Sequence, residues 1–136
     1  MIIKRAVSLG QTLGKTNAFK VGSQVTTAAT ADQVVATYTV TTNKTFYLQY
    51  LSVEVHLTTP SATAAHMGTW SLETPSGTKV LTHTATNPTT SQKYQFRLEL
   101  AEPIPVASAV VCRVVCTPSG TTSTTWEANF GGYEVG

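Results

Sequence analysis

The sequence predicts an all-β domain, an antiparallel β-sandwich of jelly-roll or Greek-key type with an extended N-terminal arm. Three observations predict it. Threonine (26) and serine (10) fill more than a quarter of the 136 residues, and valine (15) is the commonest large apolar residue. Side chains branched at Cβ suit pleated strands better than helices. Charged residues amount to only 12% of the chain, about half the usual ~25%, so a helical bundle or coiled coil lacks its Glu, Lys and Leu. Finally, apolar and polar residues alternate in segment after segment, with Pro, Gly, Ser and Asn between them. Hydrophobic residues at 41% are too many for a disordered chain. No apolar run approaches the roughly 20 residues of a membrane-crossing helix. The start, Met1-Ile2-Ile3-Lys4-Arg5, has no apolar stretch of the secretory type, and no membrane partner is expected.

Residues 1–32 are rich in Gly, Ser, Thr and Ala and have little periodicity; they read as the arm, with a short strand at 2–9. The sandwich then occupies residues 33–136. Its first strand is the β-branched run 33–40, followed by a turn at 41–44. Residues 45–57 form a long strand in which Tyr47, Leu51, Val53, Val55 and Leu57 share one parity and Phe46, Leu48 and Tyr50 the other. Either its first half is buried on both faces or a bulge near Tyr50–Leu51 swaps them. After a loop at 58–65, segments 67–74 and 78–84 make a hairpin with Trp70 and Leu72 on one face. Pro75-Ser76-Gly77 between them suits a type I turn followed by a left-handed glycine.

A polar loop at 85–92 leads to residues 94–100, which alternate without error. Glu102-Pro-Ile-Pro-Val106 cannot be central, because both prolines lack a donor; it reads as an edge segment crossing between sheets. Residues 109–117 are strongly apolar and read as a central strand. Thr-Pro-Ser-Gly-Thr, first seen at 74–78, recurs at 117–121 as the same turn chemistry. The last strand, 125–135, puts Trp126, Ala128 and Phe130 on one face and holds a Gly131-Gly132 bulge.

Charge is unevenly spread. Residues 1–31 carry Lys4, Arg5, Lys15 and Lys20 without an acid, whereas residues 32–136 carry five bases and seven acids. A basic arm on a slightly acidic domain fits docking on an acidic surface; a solvated tail is the plainer alternative. Nucleic acid is disfavoured, since four charges over thirty residues are sparse for tracking phosphates and only Phe19 could stack on a base. Cys112 and Cys116 lie on one face of a strand about 13 Å apart. A disulfide needs Cα atoms within about 7 Å, so two buried thiols are expected, as suits assembly in a cytoplasm.

No catalytic, cofactor or metal site is expected. Acid–base chemistry needs carboxylates or histidines gathered and tuned by burial. Here Asp32 and the glutamates at 54, 73, 99, 102, 127 and 134 are scattered, mostly on polar parities. His56 and His83 could lie on neighbouring strands, but no third ligand accompanies them or His66. A nucleophile elbow and a phosphate loop are both missing. Sugar-binding modules present exposed Trp or Tyr. Trp70 and Trp126 share faces with core residues, which leaves Tyr47 and Tyr133 as surface aromatics.

Three features together resemble the small β-sandwich proteins of tailed-bacteriophage virions. They are the strand start Asn43-Lys44-Thr45-Phe46-Tyr47-Leu48, the hairpin Trp70-Ser-Leu-Glu-Thr-Pro-Ser-Gly-Thr-Lys-Val-Leu81 and the ending Phe130-Gly-Gly-Tyr-Glu-Val135. The resemblance covers about residues 43–135. It implies a non-enzymatic capsid decoration (cement) protein located in the virion, a homotrimer without cofactor, whose partners are the major capsid protein or other virion subunits. The alternative is a tail or tail-fibre accessory module binding a receptor or glycan through loops 58–66 and 84–93. The expected partner-binding residues are Lys4, Arg5, Lys15, Phe19 and Lys20 of the arm, with Phe46, Leu48 and Tyr50 of the long strand.

Overall fold

The computed structural model describes residues 19–27, 30–57, 66–86, 93–119 and 124–136. They form eight strands: β1 Phe19–Thr27, β2 Gln33–Thr39, β3 Thr45–Leu57, β4 His66–Glu73, β5 Lys79–Thr86, β6 Lys93–Val106, β7 Val111–Pro118 and β8 Thr124–Val135. Pairing is antiparallel and nested: β1 with β8, β2 with β7, β3 with β6, β4 with β5. Two further ladders, β3 with β8 and β4 with β7, join these pairs into sheets ordered β1-β8-β3-β6 and β2-β7-β4-β5. A long nested hairpin wrapped into two facing sheets is the jelly-roll winding, so the expected sandwich is realised.

The core follows the period-two pattern. Trp126, Ala128 and Phe130 of β8 face Trp70 and Leu72 of β4 and Cys112, Val114 and Cys116 of β7, all fully or nearly fully buried. Both thiols are free, and burial pushes each up to about 12. They are inert at neutral pH, because the thiolate is the reactive form.

Three expectations are corrected. The arm does not run to residue 32. Phe19–Thr27 is a full edge strand, with nine register pairs to β8 from Phe19↔Gly132 to Thr27↔Thr124. Its Gly, Ser and Thr are poor in apolar signal, but backbone hydrogen bonds to β8 do not depend on side chains. The strand expected at 2–9 lies outside the described residues. Residues 102–106 do not cross between sheets; they continue β6 along β3, with Pro105 opposite Tyr47. β6 is an edge strand with a neighbour on one side only, which is where prolines are tolerated.

The third correction concerns the bulge. It sits in β3 at Gln49, between Leu48 and Tyr50, rather than at Gly131-Gly132. The extra residue turns Phe46 and Leu48 inward before it and Leu51, Val53 and Val55 inward after it. Gly131 and Gly132 lie opposite the bulge, paired with Tyr50 and Leu48.

The two ends of the sandwich differ. At one end the turns are short and hydrogen-bonded. Lys44 N donates to Thr41 O (3.1 Å), Val40 N to Val110 O (3.0 Å) and Thr78 N to Pro75 O (2.9 Å). Asn43, Ala109 and Gly77 supply the left-handed conformations, at φ 66°, 61° and 88°. β1, β3, β5 and β7 finish at the other end, and the sequences that follow them are 28–32, 58–65, 87–92 and 119–123. Apart from Asp32 they contain no charged residue.

Candidate interaction surface

The structure divides the expected contact residues into three groups. Lys4, Arg5 and Lys15 lie outside the described residues. Phe19 and Lys20 belong to the backbone of β1, at its first two register positions beside Gly132 and Gly131. On β3, Phe46 and Leu48 are 0% exposed. They fill the core and offer a partner no surface, because the bulge resolves the two-faced pattern by turning them inward. Tyr50 alone of the three stays half-exposed on the outer face.

β1 begins at the short-turn end of the sandwich, where Phe19 pairs with Gly132. Two buried carboxylates brace that end. Glu134 is 3% exposed and accepts hydrogen bonds from the Tyr38 hydroxyl and from Thr41 N, the latter at 3.0 Å. It thereby ties β8 to β2 across the two sheets. Burial alone would raise its pKa, but the hydrogen bonds from Tyr38 and Thr41, with the Lys44 charge, hold it below the usual glutamate range. Burial and the adjoining carboxylate raise the Tyr38 hydroxyl. Glu73 plays the matching part at the β4–β5 turn. It is 4% exposed and accepts from Gly77 N at 2.7 Å and from Arg113 Nε and NH2, each at 2.9 Å. Both glutamates were expected on solvated faces; strand parity does not reveal what a neighbouring turn will cover.

A depressed carboxylate stabilises the fold above its unfolded pKa, and that contribution disappears as pH falls through the folded value. Glu134→Gln should therefore cost about 1–3 kcal/mol at pH 7, the range for disturbing a buried hydrogen-bonded group. The gap to the parent protein should narrow by pH 3. Urea midpoints at the two pH values check this, and a gap that widens in acid would contradict the assignment.

The outer face of the β1-β8-β3-β6 sheet carries the polar chemistry. Its rows follow from the register: Tyr47 and Tyr133; then Glu99, Tyr50 and Gly131; then Arg97, Ser52 and Asn129; then Gln95, Glu54 and Glu127; then Lys93, His56 and Thr125. The two tyrosine rings stack at 5.2 Å with 20° between planes. Glu54 takes Lys93 Nζ and Gln95 Nε2, each at 2.7 Å. The Lys93 contact is the main reason its pKa is lowered. This ion pair is half open to water and contributes little to stability. Two adjoining depressions of about 160 and 170 Å³ share Ser52, Arg97 and Asn129.

The other outer face is plainer, with Thr37, Thr39, Thr82 and Thr84 exposed beside Val34 (44%) and Val80 (47%). Trp70 and Trp126 are core residues and cannot act as sugar platforms. His83 packs inward between Trp70 and Phe96, at 5.4 and 4.6 Å between ring centroids. His56 is on the outer face of the opposite sheet, so the two histidines are not neighbours as expected. Among the described residues, no three His, Cys, Asp or Glu side chains gather where they could hold a metal.

No protein-family model matches the sequence, and no curated protein matches it. Solved structures do match in fold. A chain of the cyanophage Pam1 capsid asymmetric unit superposes with a TM-score of 0.61 at 11% identity, over 91% of this chain and 88% of that one. A chain in the acidic stable capsid structure of the Helicobacter pylori bacteriophage KHP30 gives 0.52 at 13% identity, over 90% and 97%. At such identities the likeness is one of fold. Coverage is nearly complete in both directions, so both matched chains are single sandwiches of about this length.

Proposed function

We propose that this chain is a non-enzymatic structural protein of a bacteriophage virion, a capsid decoration (cement) protein that binds the assembled shell. The observation that carries this reading is the near-complete, mutual match to chains of this size in two phage capsid structures. The chemistry of the chain agrees with it. A surface of Thr and Ser with few long charged side chains loses little conformational entropy when it packs against neighbours, and it carries few charges to desolvate.

In this reading the arm is the anchor. Residues 1–18 carry Lys4, Arg5 and Lys15 without an acid and precede β1, which begins at the short-turn end of the sandwich; that end faces the shell. An arm without a core of its own orders on its partner and stabilises it by mass action. The partners are the major capsid protein and sister copies of this chain, in a homotrimer.

Shells of its own phage, stripped of this protein, provide the test. The full chain should cosediment with them. Deleting residues 2–18, which leaves β1 whole, should weaken binding by at least about tenfold, the equivalent of ~1.4 kcal/mol. Undiminished binding by the shortened chain would remove the arm from the mechanism. Failure of the full chain to bind would remove the decoration role. Sedimentation equilibrium of the free protein checks the trimer.

A further inference from the structure

We propose that the notch over Ser52, on the outer face of the β1-β8-β3-β6 sheet, binds one pyranose ring of a neutral polysaccharide. The notch follows from side-chain size. Ser52 lies on β3 between two taller residues in the same row, Arg97 on β6 and Asn129 on β8. Along β3, Tyr50 closes one end, and beyond Ser52 the second depression continues to Glu54. The depression is open on its outer side and measures about 160 Å³, room for a single sugar ring laid on the sheet.

The lining has the chemistry of a polyhydroxyl site. Arg97 donates, as does the second Nδ2 proton of Asn129, whose first is directed at Glu127 Oε1 at 3.4 Å; Glu99 accepts, and the Ser52 hydroxyl does either. Planar guanidinium, carboxylate and amide groups grip adjacent hydroxyls with paired hydrogen bonds, and the Tyr50 ring supplies an apolar wall with a polar tip. Arg97 and Glu99 make no hydrogen bond or contact ion pair among the described residues, so their capacity is available. Charge favours a neutral ligand. Across these rows the charges nearly balance: Lys93 and Arg97 stand among Glu54, Glu99 and Glu127, with Lys93 paired to Glu54 and Glu54 also feeling the Arg97 charge.

Asn129 leans over β1, where residue 22 is glycine and a Cβ would come within 2.4 Å of Asn129 Oδ1, which leaves the floor at Ser52 open. One copy binds weakly and independently of any virion role. Only amplification by many copies on one particle rests on the proposed decoration reading.

Amide spectra of the full ¹⁵N-labelled chain, titrated into the millimolar range with maltohexaose, cellohexaose, mannohexaose and hexa-N-acetylchitohexaose, test this. At least one should shift Tyr50, Ser52, Arg97 and Asn129 together. Ser52→Leu, which fills the floor, should abolish the response. Arg97→Ala should weaken it by about tenfold or more, since a site built to pair with hydroxyls discriminates strongly when a partner is lost. Both variants should keep the parent spectrum elsewhere. Silence with all four sugars overturns the proposal, as do shifts away from the notch or an undiminished response in both variants. A trilysine peptide that shifts the notch where no sugar does assigns it to a basic protein partner and overturns it too. None of these outcomes alters the shell-binding result, so the two readings fail separately.

Discussion

Gly132→Ala should destabilise the sandwich more than any other single change in β8. A Cβ at residue 132 would lie 1.8 Å from the Tyr47 carbonyl oxygen, 2.9 Å from its carbon and 3.2 Å from Gln49 N. All three are backbone atoms of the β3 bulge, so no side chain can swing aside. β3 would have to retreat by more than an ångström where it pairs with both β6 and β8. Ordinary overpacking costs about 1–3 kcal/mol. Displacing a central strand exceeds that, and about 4 kcal/mol or more is expected, a large part of the ~5–15 kcal/mol that holds a domain together. Gly77→Ala is the control. Nothing lies within 4 Å of a Cβ there and only the φ of +88° is unfavourable, a cost of about 1–2 kcal/mol. Thermal melts should rank the control well above Gly132→Ala. Equal melting of the two would mean that β3 and β8 are not in this register.

Trp126→Ala should cost about 3–5 kcal/mol, the range for emptying a buried aromatic site. The indole is 0% exposed. In the register of its own sheet it lies between Val25 of β1 and Val55 of β3. Its far edge reaches the opposite sheet, where Cζ2 lies 3.1 Å from the position a Cβ would take on Gly68. One side chain thus spans the sandwich. Its Nε1 donates to Thr124 Oγ1 at 2.7 Å, and Thr124 is itself buried. Trp126→Phe keeps most of the apolar contact and forfeits that bond, so a smaller loss of about 1–3 kcal/mol is expected. Urea unfolding of the two variants separates packing from hydrogen bonding. Equal losses would mean that apolar contact on the scale of a phenylalanine ring contributes nothing at this position.

Both residues stood out in the sequence, but for different reasons. Trp126 announced itself by parity, two residues from Ala128 and four from Phe130. Gly132 was visible as half of a Gly-Gly pair and was read as the site of the bulge. The bulge belongs to the partner strand, and the glycine is there to admit it. The two-faced stretch Phe46–Tyr50 carried the same information from the other side. Its pattern left two solutions, and the partner strand selects between them. The consequence for function is direct, because the selected solution removes Phe46 and Leu48 from the surface.

The sequence by itself determined the fold class, seven of the eight strands and the core faces of the regularly alternating ones. These depend on a local regularity, alternation with period two, which each segment carries without knowing its neighbours. Tertiary structure decided what depends on pairing. β1 is a strand because β8 offers it a free edge, although its own side chains scarcely signal one. Glu73 and Glu134 are buried because turns from other strands close over them. The Ser52 notch exists because Arg97 and Asn129, 45 and 77 residues further along the chain, are brought to either side of one small residue. Register across strands distant in sequence sets these features, and no local pattern encodes it.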